Sequence, residues 1–432
     1  MILPKLGELS VMIPTEAGEI GIEATAENER KLHESGGNRT VQRPSGCRCI
    51  DACFPYFNGK WMQGLASSSA RTLATVGLSL PAMPLAMQAT LMTAMLNPSS
   101  ILQTAFGFWN SKVLLTAVEF GVFTKLAGRR LTGAELGAEL QLHPRAIADF
   151  FDALVAMKFL DREGDGPQAK YFNTPEGDLF LDEASPRYVG GILIMLNARL
   201  FKFWNDLPEA LRTGRPQNEV KHGQKSIFEE LYADLPKLEQ FMGAMTGLSR
   251  VNFEVFAEKF DFSKFQSLCD VGGATGLLST EVAKRHPHLQ CTSFDLPPVG
   301  PIAKKHIAAL GLESRVCTAS GDFFQDPLPK ADVITMGMIL HDWNLEKKMH
   351  LIRAAYDALP PGGALVAIEA LIDDARRENV QGLLMSLNML IEFGDAFDYS
   401  GADFRQWCSE VGFQRFEVIH LAGPSSAVVA YK

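Results

Sequence analysis

Five short runs in the second half of the chain combine glycine, carboxylate, imidazole and aromatic side chains in an order that suits a ligand site. Gly272-Gly273-Ala274-Thr275-Gly276 follows the apolar run FQSLCDV and leads into LLSTEVAKRH. Glycines there let the main chain approach a ligand closely at the carboxyl end of a strand. The next apolar run, LQCTSFD, ends in Asp295, placed to accept hydrogen bonds from ribose hydroxyls. SRVCTASGD ends in Asp322, and Phe323 and Phe324 follow it. A carboxylate with two aromatic faces suits the edge and ring of an adenine. ADVITMGMIL leads into His341-Asp342-Trp343, and ALVAIEAL carries Glu369. The glycine turn lacks the G-x-G-x-x-G spacing of dinucleotide sites, and no P-loop lysine follows it. Both absences count against NAD and ATP. An adenosine ligand without a pyrophosphate fits better.

The elements that must position these runs read, from near Phe260 onward, as strand, turn, helix, strand, helix, strand, helix. That order predicts an α/β fold with a parallel sheet. Upstream the pattern is helical. Residues 101–128 predict one largely buried helix with a tight exit at Gly128. Thr132 precedes Glu135 by three, a capping-box signal, and His143-Pro144 opens a helix with Ile147, Phe150, Phe151 and Leu154 on one stripe. LDREGDGPQAKYFNTPEG then reads as a wing. Helices followed by a wing suggest DNA binding, which depends on basic side chains that neutralise phosphates. Here Arg145 and Lys158 are offset by Asp149 and Asp152, so packing or dimerisation is the preferred use. The stretch from Tyr188 to Phe256 is rich in Met195, Phe201, Trp204, Phe241, Met242 and Met245, which serve a core or an apolar pocket equally well.

The whole chain has 432 residues and a net charge of −9, too acidic and too free of basic blocks for a nucleic-acid partner. Its seven cysteines form no disulfide framework and predict a reducing, cytoplasmic setting. Cys47, Cys49 and Cys53 lack a second ligand pair, so no metal is expected. The uncharged stretch from Thr72 to Ser111 contains Pro81 and Pro84 and is only mildly apolar, so no membrane element is expected either. The predicted organisation is an extension over 1–94, a helical domain over 95–255 and an α/β domain over 256–432. The extension reads as a poorly ordered segment or the product of an early start codon, with Met87, Met92 and Met95 as later starts.

As an ordered set, DVGGATG, FDLPPV, GDFFQDPLP, MGMILHDW and LPPGGALVAIEALI resemble the plant- and bacterial-type S-adenosylmethionine-dependent small-molecule O-methyltransferases. That family includes caffeate, acetylserotonin, hydroxyneurosporene and polyketide O-methyltransferases, and the resemblance spans about residues 97 to 432. It implies a doubly wound Rossmann-like methyltransferase domain preceded by a winged-helix dimerisation domain, S-adenosyl-L-methionine as cofactor, and a homodimer. It also implies that Gly272 lies by the methionine part of the cofactor and Asp295 on the ribose. Leu296 and Phe323 would flank the adenine, Asp322 would bind its amino edge, and Trp343 would pack beside it. His341 would be the general base, Glu369 the acid that orients it, and Asp398, in the run FDYSGADF, a second acid beside the ring.

Two positions depart from the family pattern. Ala274 replaces a third glycine, and Gly337 replaces a lysine that would meet the cofactor carboxylate. The expected acceptor is an aromatic or polyketide-like hydroxyl, with Met385, Asn388 and Met389 in the pocket wall. Two rivals remain: transfer to carbon or nitrogen on the same fold, which would survive loss of His341, and a non-catalytic cofactor-binding regulator. Retention of His341 together with Glu369 argues against the regulator.

Overall fold

Residues 97–223 and 231–432 are described in the structure, a computed structural model. The chain divides into Met1–Leu96 and Asn97–Lys432. The first unit lies outside the described residues, and with it the expected extension, its three cysteines and most of the uncharged stretch.

Helix α1 (Ser99–Glu119) stops where Gly121 takes φ +68°, and α2 (Val122–Leu126) starts anew. The single helix expected over 101–128 is therefore two. The break turns Val122, Phe123 and Leu126 into the same core as Ala117 and Val118. The capping box forms as expected: the Thr132 hydroxyl accepts from the Glu135 N–H, and Glu135 accepts from the Thr132 N–H at 2.7 Å, opening α3 (Gly133–Glu139). His143 caps α4 (Pro144–Ala156), whose Phe151 and Leu154 are buried. The wing is antiparallel, with β3 (Lys170–Asn173) between β1 (Leu131–Thr132) and β2 (Leu160–Glu163).

After α5 (Pro175–Leu181), α6 (Gly190–Met195) passes into a wide π turn at Leu196–Leu200, and α7 (Leu207–Thr213) follows. Helix α8 (Leu235–Lys259) then runs across the expected 255/256 boundary without a break. Its Leu238 and Met242 pack with Val299 and Ile302, while Phe256 and Ala257 join the core of the sheet. One helix thus serves both halves.

The sheet has seven strands in the order β6-β5-β4-β7-β8-β10-β9. Strands β4 (Ser267–Val271), β5 (Gln290–Asp295), β6 (Val316–Ser320), β7 (Val333–Gly337) and β8 (Ala364–Glu369) are parallel. Two strands beyond the five expected, β9 (Arg415–His420) and β10 (Ser426–Tyr431), close it antiparallel. Every residue of β8 is buried, as a strand covered on both faces requires. The covering helices include α9 (Leu277–Arg285), α10 (Gly300–Ala309), α11 (Leu345–Ala358), α12 (Val380–Phe393) and α13 (Gly401–Val411). Strand order reverses between β4 and β7, and open α/β sheets bind ligands at the carboxyl ends beside such a reversal. Among the described residues, no helix is long and apolar enough to cross a membrane.

Candidate active site

The glycine turn after β4 and the turn after β7 meet at the reversal. Gly272 takes φ +70°, and a Cβ there would strike Ile339; a Cβ on Gly273 would strike Ser293. Both glycines donate their N–H to the Phe294 carbonyl, at 2.9 and 3.2 Å, which ties the turn to the end of β5. Ala274 sits at φ +49°, in the left-handed region that costs an L-residue about 1–2 kcal/mol. Its strain accompanies a contact: the Ala274 N–H donates to Asp295 at 2.9 Å, and the Leu296 N–H donates to the other oxygen at 2.7 Å. Burial pushes the Asp295 pKa up, and these two donors pull it back. Each oxygen keeps a lone pair for a ligand hydroxyl.

Asp322 accepts from the Phe324 N–H at 2.9 Å and from the Gln325 amide at 2.7 Å, so it also braces its own turn. Phe323, Phe324 and Trp343 form one aromatic group, with Phe324 edge-on to Trp343 at 4.7 Å. The buried Trp343 Nε1 has no hydrogen-bond partner among the described residues. A glycine cradle, a braced carboxylate with free lone pairs, aromatic faces and an orphaned donor together fit an adenosine-bearing cofactor.

His341 is 4% exposed and stands on a short turn after β7. Met338, at φ +58°, starts that turn and donates its N–H to the Ile368 carbonyl at 3.0 Å. The ring has a carboxylate on each nitrogen: Nδ1 lies 3.3 Å from Asp398 and Nε2 lies 3.4 Å from Asp342. Glu369 meets the main chain of the base turn. Its Oε1 accepts from the His341 main-chain N–H at 3.0 Å and fixes the turn. The end of β8 lies level with the main chain of that turn, because Gly337 pairs with Ile368. Asp398 takes the ring-facing place, held by its own N–H to Ser386 Oγ on α12 at 3.2 Å and by the Ile372 N–H to the Tyr399 carbonyl at 3.0 Å.

Burial alone would lower the His341 pKa, but Asp342, Asp398 and Glu369 outweigh it and raise it to about 10. Burial raises Asp342 to about 6 and Glu369 to about 7.

The two departures have local causes. A Cβ at Gly337 would meet the Phe253 ring at 2.8 and 2.9 Å, so α8 fills the space a longer side chain would need. Ala274 fits its turn at the strain described. Of the expected pocket residues, Asn388 accepts from Trp204 Nε1 at 3.0 Å, Met385 is half-buried and Met389 is core. Two residues at the site carried no sequence signal. Tyr232 lies within the field of Asp295 and Asp342, and burial pushes its phenol well up. Lys348, wholly buried, lies beneath the base turn. Among the described residues no group of side chains could hold a metal ion.

An O-methyltransferase domain model matches residues 204–414, and an O-methyltransferase dimerisation domain model matches 102–183. The chain is 39% identical to the tetracenomycin polyketide synthesis 8-O-methyl transferase TcmO of Streptomyces glaucescens, over 78% of this chain and 97% of that protein. It is 35% identical to the N,N-dimethyltransferase OxyT of Streptomyces rimosus, over 73% of this chain and 90% of that one. Human N-acetylserotonin methyltransferase in complex with S-adenosylmethionine superposes with a TM-score of 0.72 at 31% identity, covering 78% of this chain and 99% of that one. Two family domains in the expected order, and relatives matched over nearly their whole length, leave one assignment: the chain belongs to the S-adenosylmethionine-dependent small-molecule O-methyltransferases.

Proposed function

We propose that the enzyme methylates a hydroxyl of an aromatic, polyketide-type molecule and that His341 is its general base. The observation that carries this reading is the buried imidazole beside the strand reversal, with Asp398 3.3 Å from Nδ1. Asp398 at Nδ1 and Asp342 at Nε2 compete for the proton of the neutral ring; in this reading it stays on Nδ1, and Nε2 takes the proton of the acceptor. When bound, S-adenosylmethionine supplies the activated methyl group. This chain's residues must then align the acceptor and take its proton. Alignment supplies much of the acceleration, and a positioned base adds about 10²–10⁴. The carboxylates around the imidazole raise it above its ordinary value, towards that of a phenol, which makes it a stronger acceptor for the phenol's proton.

In this reading Asp295 holds the ribose and Asp322 the adenine amino edge. Leu296, Phe323 and Trp343 surround the ring, and Gly272 lies by the methionine part. Glu369 fixes the turn that carries the base. The likeness to TcmO supports a polyketide-type acceptor. The match to a dimerisation domain and the exposed apolar side chains of α1 support a homodimer, and free cysteines among the described residues support a reducing cytoplasm. The likeness to OxyT keeps nitrogen as a second acceptor.

His341→Ala decides between the two. For a hydroxyl acceptor kcat falls by about 10²–10⁴, whereas methylation that survives the substitution would turn the reading to nitrogen or carbon. In the wild type the raised imidazole must lose its proton before it can act. The kcat/KM profile of the enzyme therefore climbs with pH through a limb well above the 6.5 of an ordinary histidine; a limb at or below 6.5 would remove His341 from the role.

A further inference from the structure

We propose that Lys348 is a positioning residue for the base, a buried clamp that sets the distance between His341 and Asp398. The inference rests on the reading of His341 given above. Lys348 stands on α11 and is 0% exposed. Its Nζ donates to two main-chain carbonyls from separate segments: that of Trp343, two residues after His341, and that of Phe397, directly before Asp398, at 2.8 Å. The ammonium also lies 3.7 Å from the centre of the Phe397 ring. The turn with the base and the loop with its acid are thus pinned to one nitrogen. A lysine is among the costliest side chains to bury, and a methionine would fill the same space while leaving both carbonyls without a donor.

The charges facing this amine are Glu369 at the end of β8, Asp342 on the base turn, and Asp395 and Asp398 on the loop before α13. Burial pulls its pKa down to about 8 against their opposing pull. The clamp holds on both sides of that value, because a neutral amine keeps two N–H donors for two carbonyls.

The test reads the downfield proton resonance of His341 Nδ1–H that a facing carboxylate produces, assigned by its loss in His341→Gln and Asp398→Asn. It is recorded in the enzyme with S-adenosylhomocysteine bound, beside kcat, KM and calorimetric affinity for that ligand. In Lys348→Met the resonance is lost and kcat falls about tenfold to a hundredfold, the scale of a misplacement near 1 Å. Acceptor KM and S-adenosylhomocysteine affinity stay within about threefold, a split that general destabilisation would not give. Lys348→Gln, which keeps one donor group, falls between it and the wild type and serves if the methionine variant does not fold. A folded variant that keeps the resonance and a kcat within about twofold of wild type overturns the proposal. The wild type supplies an arm without substitution: the resonance persists from about pH 7 to about pH 9, and its loss as the amine titrates would overturn the two-donor clamp. Because the resonance needs no turnover, failure of His341 as the base, read from His341→Ala, stays separate from failure of the clamp.

Discussion

In the α/β half, the central strands β4, β7 and β8 are covered on both faces and their ends lie in turns braced by main-chain hydrogen bonds, whereas α1 in the helical half leaves Ile101, Phe108 and Trp109 71, 57 and 56% exposed. Contiguous apolar side chains of that size on a surface mark a contact with another molecule. The contrast separates two jobs. The proposed cofactor cleft lies at the strand ends of a single chain. In the proposed homodimer, the helical half presents the face that a second copy would cover.

Breaking that face gives the largest effect. Phe108→Glu with Trp109→Glu raises the dimer dissociation constant by at least about a thousandfold, since buried aromatic anchors each contribute about 2 kcal/mol or more to such contacts. Sedimentation velocity reads it, and cofactor affinity stays within about threefold. A double variant that remains dimeric would move the interface elsewhere and erase the contrast. Asp295→Ala works in the opposite direction. Removing the carboxylate proposed to hold the ribose hydroxyls lowers cofactor affinity about ten- to a hundredfold by calorimetry and leaves the dimer intact. Unchanged affinity would show that the cleft binds its ligand some other way.

The smallest effect sharpens the picture of the cleft. Ala274 holds a left-handed conformation at a cost of about 1–2 kcal/mol, and glycine there would lose about 0.5–1 kcal/mol to chain entropy. The first outweighs the second, so Ala274→Gly stabilises the protein by about 0.5–1 kcal/mol, read as a raised denaturant midpoint. A lowered midpoint would mean that packing Ala274 against the apolar cluster that includes Leu238, Met242, Val299 and Ile302 is worth more than the strain.

The alternation of parallel strands and helices in the α/β half was legible because each of these strands carries apolar residues and ends in, or leads into, a glycine or an acid. The capping box at Thr132 and Glu135 was legible for the same reason: its signal lies within four residues. The break at Gly121 was not, since an apolar stripe runs through it and only the tertiary core of Phe123 and Leu126 requires the turn. The parts played by Glu369 and Asp398 were hidden too. Both were candidates to flank the imidazole, but which one reaches the ring depends on a loop that arrives 57 residues after His341. Phe253 over Gly337, Tyr232 near Asp295 and Lys348 under the base turn are contacts between distant segments and have no local signature.

The sequence by itself therefore determined the order of the parallel strands, the residue types at their carboxyl ends, and the class of cofactor they suit. These follow from local period and composition, which a linear reading can count. The tertiary structure alone decided which carboxylate faces which ring nitrogen, how far the imidazole is raised, and what holds the two loops together. Those are distances between segments far apart in the chain. Electrostatic interaction inside a protein depends on separation and burial, neither of which exists until the chain has folded.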